Sequence, residues 1–176
     1  MSKQDVNNVY IISGPAGVGK STTSKELVKT LKNSAYISGD YISHMHVNGR
    51  KKPWESQEEV SLIWDNILSL TKNFLRYDND VVVDYVTFPY EAEWVSNNLN
   101  EFKVEVHYIV LWADNEILVS RDNMRTPEHR MGERCLVLVD EFIESGIDKK
   151  HIFDTSKNPP IAHIVNEVMS DSKYNM

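Results

Sequence analysis

Residues 14–21 read GPAGVGKS, between the apolar run VYIIS and the helix-like stretch TTSKELVKTL. Gly14, Gly19, Lys20 and Ser21 meet every required position of the pattern G-x-x-x-x-G-K-[ST]. The spacing has a physical reason. Glycines let the backbone wrap closely around a phosphate without Cβ clashes, so that successive amides point inward. A helix that follows directs its positive end at the same place. Pro15, Ala16, Gly17 and Val18 complete the loop, and Thr22 continues it into the helix. Lys20 then reaches the β- and γ-phosphates, and Ser21 offers a hydroxyl to Mg²⁺. A glycine turn with a chance Lys-Ser is the plain alternative. The strand before and the helix after favour the chemical reading, which predicts binding of a nucleoside triphosphate.

Other residues could act on such a ligand. Asp84 closes the apolar run VVVD. At the carboxyl end of a strand beside the first one, its carboxylate would face the metal; turn chemistry is the alternative. Asp40 ends a second short strand and could accept the proton of an acceptor hydroxyl as that hydroxyl attacks the γ-phosphate. The rival reading makes Asp40 the N-cap of a helix over YISHM. His44 and His46 are too few for a metal site; His44 could bind substrate or sit solvated in a loop. Arg50, with Lys51 and Lys52, could approach an acidic acceptor or form an ordinary charged surface. Arg121, Arg125, Arg130 and Arg134 cluster around Pro127 and Gly132. A segment hinged there, about residues 121–134, would make a lid whose arginines (Arg125, Arg130 and Arg134 foremost) neutralise charge in the transition state, Arg125 also touching nucleotide. Ion pairs with Asp122, Glu128 and Glu133 would account for some of them.

These groups need elements to hold them. Short apolar strands alternate with helices, which predicts a parallel sheet covered on both faces. Strands are expected at VYII, SAYIS, DVVVDYV, VEVHYIVLW and HIF. The clearest helix is SQEEVSLIWDNILSLTKNFLR. Ser56 and Glu59 read as its capping box, and Val60, Ile63, Trp64, Ile67, Leu68, Phe74 and Leu75 form its apolar stripe. Pro89 suits the first turn of another helix, Asp114 reads as the cap of a third, and Gly146 as the stop of a fourth. A last helix follows Pro159-Pro160, with Ile161, Ile164, Val165, Val168 and Met169 on one side. The expected product is a single α/β domain over residues 1–176, three-layered α/β/α, with a five-stranded parallel sheet and a helical lid.

Composition narrows the partners. The 176 residues carry 19 basic and 26 acidic side chains, a net charge of −7. Nucleic acid and anionic membranes want the opposite sign, so neither is expected as a partner. An anionic ligand must instead be held by a local cluster of donors. The single cysteine, Cys135, excludes an internal disulfide and fits a reducing compartment. MSKQDVNN lacks the apolar segment of a signal peptide, and no run approaches the length of a membrane span. A cytoplasmic monomer or homodimer is expected.

Taken in order, the glycine loop, the acidic end of the second strand, the long helical region, the third-strand aspartate and the arginine-bearing lid resemble the small P-loop kinases of the nucleoside-monophosphate-kinase-like group. That group includes gluconate kinases, shikimate kinases and chloramphenicol phosphotransferases. The resemblance implies a P-loop NTPase fold and transfer of the γ-phosphate of Mg-ATP to a hydroxyl of a small molecule, such as a sugar acid, polyol or antibiotic. Gly39-Asp40 followed by His44 is similar to the gluconate-kinase pattern, which implies that Asp40 and His44 touch the acceptor. VVVDYVTF departs from that pattern at the third strand. In the same fold the loop after the last strand often cradles adenine, which implies Asp154, Thr155 and Ser156. A nucleotide kinase remains an alternative, with Arg50 and its neighbours meeting the acceptor phosphate. A GTPase-type switch is another, although the Asn-Lys-x-Asp sequence that such switches usually carry is missing.

Overall fold

A computed structural model describes residues 6–176; the first five residues of the polar opening stretch lie outside it. The chain runs β1 (Asn7–Ser13), α1 (Lys20–Thr30), β2 (Ser34–Ser38), α2 (Gly39–Met45), α3 (Gln57–Leu75), β3 (Asp80–Asp84), α4 (Pro89–Asn98), β4 (Val104–Trp112), α5 (Asn115–Asn123), α6 (Arg134–Glu144), β5 (Ile152–Asp154) and α7 (Ile161–Ser170). All five strands pair in parallel, in the order β2-β3-β1-β4-β5. No helix among the described residues is long and apolar enough to cross a membrane.

Strand side chains alternate between faces, so each apolar run supplies both layers. Val9, Ile11, Val81, Val83, Tyr108 and Val110 face α3 and α4, meeting Ile63, Trp64, Ile67, Leu75, Ala92 and Val95. Tyr10, Ile12, Val82, Ile109 and Leu111 face the other way, against Leu27 of α1, Leu118 of α5 and Ile164, Val165 and Val168 of α7. The apolar stripe of α3 is buried as its spacing predicts, except that Val60, in its first turn, is only partly buried and Phe74, near the helix end, is 38% exposed. Met169 on α7 likewise lies at the surface.

Caps depart from the sequence reading in two places. Ser56 Oγ does accept the amide of Glu59, but the Glu59 carboxylate does not return the bond. It turns instead to His46 Nδ1, 3.0 Å away, and to the amide of Lys51. Thus α3 is capped from one side only, and its acidic third residue ties down the segment after α2. Asp114 occupies the N-cap position of α5, yet its side chain accepts no capping hydrogen bond. Pro89 begins α4 and Gly146, with φ +70°, follows α6, both as expected.

Parallel register puts the strand ends level. Ile12 and Ser38 both pair with Asp84, on either side of β3. Beyond β2, Gly39 lies flat against the Tyr85 ring: an added Cβ would fall 2.2 Å from one ring carbon and 2.3 Å from another. Tyr85 is itself packed edge-on to Trp64, with centroids 5.8 Å apart, and cannot retreat freely. Gly39→Ala should therefore cost about 1–3 kcal/mol, the usual range for overpacking a filled core. Urea unfolding measures it; a variant as stable as the parent would mean that the ring moves aside.

Candidate functional site

The loop leaves β1 through Gly14, at φ +132°, where an added Cβ would stand 2.3 Å from the Leu111 carbonyl oxygen of β4. No other residue fits there. Gly17 and Gly19 also take positive φ, and Gly19 is the N-cap of α1. Beside Gly19 the space that a Cβ would fill is open, with no atom within 4 Å. The Ala16 and Val18 side chains point into the protein: Ala16 against Cys135 and Leu138, Val18 into the core under α1. Their backbones are left to form the cradle. Ser21 and Thr22 lie exposed on the first turn of α1.

Lys20 Nζ donates to the carbonyl oxygens of Gly14 and Pro15, each at 2.9 Å, curling over the loop. Burial pushes its ammonium down to about 8, against the opposing pull of the Asp84 and Asp40 carboxylates; the Arg125 charge lowers it further. Two carboxylates and one lid arginine therefore share the field of this lysine. Asp84 is 4% exposed and accepts a hydrogen bond from Tyr36 Oη at 2.6 Å. The Tyr36 phenol is held above its ordinary pKa by burial, then by its bond to Asp84, while the nearby Ser38 and Ser21 hydroxyls pull it back.

Asp40 does not cap α2. Ser38 does, its Oγ accepting the amide of Tyr41, and Asp40 lies within the first turn with its side chain exposed. The capping reading of Asp40 is thus corrected: the cap falls two residues earlier, on the last residue of β2. Close by, the Tyr85 hydroxyl is held above its ordinary pKa by burial, then by the Asp40 and Glu91 charges. Glu91 is buried and accepts bonds from Trp64 Nε1 and the Phe88 amide. Burial nonetheless pushes its carboxyl up, against those bonds. His44 is exposed, and its Nδ1–H donates to the Asp40 carbonyl within α2, at 2.7 Å. Arg50 Nε donates to the backbone and side-chain oxygens of Ser43, and the Arg50 charge reaches Tyr85. Among the described residues no carboxylate pairs with Arg50.

The arginine cluster divides. Arg121, read only as one of four, ties the phosphate loop to the turn after β5. It donates to Val18 O of the loop, to Thr155 Oγ1 and O, and to Asn158 Oδ1 at 2.6 Å. Arg134 forms a double hydrogen bond with Glu141, at 2.8 and 2.9 Å, and lies 5.5 Å from the Trp54 ring centroid. That pairing lies within α6 and commits its guanidinium to the helix's own carboxylate. Arg130 Nε donates to the carbonyl of Arg125. Arg125 is the lid arginine whose charge acts on Lys20. At the end of β5 the Asp154 carboxylate accepts the amide and hydroxyl of Ser156, whose Oγ also accepts the Asp114 amide, and the buried Thr155 hydroxyl donates to the Trp112 carbonyl.

The segment expected to form a helical lid is a loop with one 3₁₀ turn, Pro127–His129, between α5 and α6. Asp122, at the end of α5 and 3% exposed, holds it. Its carboxylate accepts the amides of Met131 and Gly132 at 2.8–3.0 Å. Burial alone would raise its pKa, but those amides, with Arg125 and Arg130, win and hold it below the usual carboxylate range. A depressed folded-state pKa means that the anchor is intact above the ordinary aspartate pKa and is lost as pH falls through the lower value. Asp122→Ala should speed amide exchange of residues 131 and 132 by about 10-fold or more, since a lost bond of this kind is worth about 1.5–3 kcal/mol. In the parent, the same protection should survive at pH 5 and fade on further acidification. Exchange at these amides that is indifferent to the substitution would remove Asp122 as the anchor.

A divalent cation carried by a nucleotide needs only one or two protein oxygens, because phosphate and water supply the rest. The exposed Ser21 hydroxyl and the Asp84 carboxylate are hard oxygen donors of that kind. No group of three or more His, Cys, Asp or Glu side chains suited to a metal occurs among the described residues. The site fits a cation that arrives with its nucleotide.

Similar folds occur in a gluconokinase from Sinorhizobium meliloti 1021, with 16% identity and a TM-score of 0.64 over 95% of this chain and 92% of that one. The tunicamycin resistance protein of Deinococcus radiodurans aligns with 15% identity and a TM-score of 0.64, over 93% and 94% of the two chains. A sugar kinase from Janibacter sp. HTCC2649 aligns with 10% identity and a TM-score of 0.64, over 94% of each. At these identities the likeness is one of fold. No curated protein matches the chain in sequence. A family model described as an AAA domain matches residues 9–135, from β1 through the phosphate loop and the lid to the start of α6. With its five-stranded parallel sheet and glycine loop, the chain belongs to this AAA-domain family of P-loop proteins.

Proposed function

We propose that this protein is an ATP-dependent kinase that phosphorylates a hydroxyl of a small metabolite, a sugar acid such as gluconate or a related polyol or antibiotic. One observation carries the reading. Two carboxylates act on the loop lysine: Asp84 is buried and hydrogen-bonded, Asp40 exposed and relieved of capping by Ser38. A protein that only bound or hydrolysed nucleotide would have little use for the second. Placed at the carboxyl edge of the sheet, Asp40 has the position and freedom of a general base.

In this reading the loop amides and Lys20 hold the β- and γ-phosphates. Ser21 and Asp84 would hold the accompanying Mg²⁺, which neutralises phosphate charge when bound. The acceptor oxygen attacks the γ-phosphorus as its proton passes to Asp40. The bond to the β–γ bridging oxygen breaks, and ADP leaves with that electron pair. Lys20 stays with the phosphates through the transfer, and Arg125, whose charge already reaches it, adds positive charge from the lid. Catalysis on this scheme is positioning and charge neutralisation, in keeping with phosphoryl transfer generally.

The acceptor's acidic group is assigned to Arg50, whose Nε is fixed by Ser43 while its remaining N–H groups have no carboxylate partner among the described residues. Trp54, half-exposed between Lys52 and Arg134, and the exposed Tyr90 stacked on Phe88 would form the outer wall of that subsite.

Incubation with ATP, Mg²⁺ and pooled sugar acids, polyols, nucleotides and antibiotics should release ADP only with a hydroxyl acceptor. Acceptor-independent hydrolysis alone would sink the kinase reading, and turnover confined to nucleotides would replace the acceptor class. Asp40→Asn should lower kcat about 10²–10⁴-fold, the span of general-base assistance, and leave the melting temperature in place because Ser38 carries the cap. A lower melting temperature with normal kcat would return Asp40 to a structural role. Arg50→Gln should raise the acceptor KM by about 10-fold or more, the worth of a lost charge-assisted bond, while kcat changes little. An unchanged KM would take the acidic group elsewhere.

A further inference from the structure

In β2, Tyr36 pairs in register with Val82 of β3, and Ser38 with Asp84. Val82 belongs to the sheet face under α1, so Tyr36 and Asp84 share that face two residues apart along the strands. Two residues of strand span about 6.5–7 Å, which a tyrosine reaches with its hydroxyl and shorter side chains do not. The ring lies under α1, with Lys25 Nζ 5.9 Å from its centroid, and Oη meets Asp84 Oδ2 at 2.6 Å. Asp84 Oδ1 accepts no hydrogen bond among the described residues. A carboxylate held by one oxygen in this way has one orientation and one free oxygen.

We infer that Tyr36 is a positioning residue for Asp84, fixing the carboxylate through Oδ2 so that it meets the nucleotide-borne cation through Oδ1. The inference rests on the nucleotide reading above. It adds to that reading a residue two strands from the glycine loop and outside its motif. A partner that orients a metal-ligating carboxylate typically contributes 10–100-fold in metal affinity. A tyrosine that merely filled space would contribute stability and nothing to the metal.

The test uses Mn²⁺ as probe and ADP in place of ATP, so that no turnover occurs. Mn²⁺ bound to the full-length protein–ADP complex is followed by electron paramagnetic resonance, and ADP affinity in EDTA by calorimetry. Tyr36→Phe removes one oxygen and keeps the ring packed; Tyr36→Met serves as a second variant without the donor, and circular dichroism verifies that each is folded. Both should weaken Mn²⁺ binding about 10–100-fold with ADP affinity in EDTA unchanged. Asp84→Asn should weaken it comparably, and adding Tyr36→Phe to Asp84→Asn should cost nothing more, because Tyr36 acts through Asp84. Unweakened Mn²⁺ binding in folded Tyr36→Phe, or losses that multiply in the double variant, would overturn the inference alone. Absence of Mn²⁺–ADP binding by the parent would overturn the nucleotide reading itself.

Discussion

Parallel register between β1, β2 and β3 governs where chemistry can occur in this molecule. Ile12, Asp84 and Ser38 lie side by side, so the chain leaves the sheet three times at one level. At the first exit Leu111 of β4 crowds the backbone so closely that only glycine turns there, and the turn opens into the loop that ends at Lys20. At the second, Ser38 hands over directly to α2. At the third, Asp84 stands buried in the sheet edge with Tyr36 on its oxygen. A slip of one residue in any pairing would turn Asp84 to the opposite face of the sheet and dissolve the grouping.

An acidic chain can bind an anion only by concentrating its donors. Most of the arginines near the cleft are spent on the protein's own oxygens: Arg121 on Thr155 and Asn158, Arg134 on Glu141, Arg130 on a lid carbonyl. Lys20, Arg50 and Arg125 also meet the protein's own oxygens, Arg125 lying 3.7 Å from the Asp122 carboxylate, and in the proposed reading these three turn to the ligand alongside the loop amides. The committed arginines are structural in a specific sense. Arg121 joins the phosphate loop to the turn after β5, and Arg134 joins α6 to the Trp54 segment.

Much of this was legible in the residues. The strands announce themselves as β-branched runs, α3 by its periodic stripe, and the glycine loop by a motif whose parts are neighbours in sequence. Legibility ended where partners are distant. Tyr36 and Asp84 are separated by 48 positions, and nothing in the AYIS segment marks its tyrosine as other than a strand residue. The same holds for Asp122, whose carboxylate reads as a surface ion-pair partner and in fact gathers backbone amides. Caps failed for a related reason: a serine, an aspartate or a glutamate at a helix start can each cap, and tertiary neighbours decide. Glu59 had His46 and Lys51 to satisfy, and the Ser38 hydroxyl reached the amide of Tyr41 before Asp40 was needed.

The division between Ser38 and Asp40 carries a consequence for how such a site can change over generations. Where one side chain both starts a helix and does chemistry, any drift toward a new substrate is taxed by lost stability, and few variants survive long enough to improve. Here the helix start is secured by Ser38, and Asp40, the base of the proposed reaction, already faces solvent. The corner can be retuned one substitution at a time while the scaffold stays folded. On the proposed reading, such an arrangement would let one architecture take different acceptors.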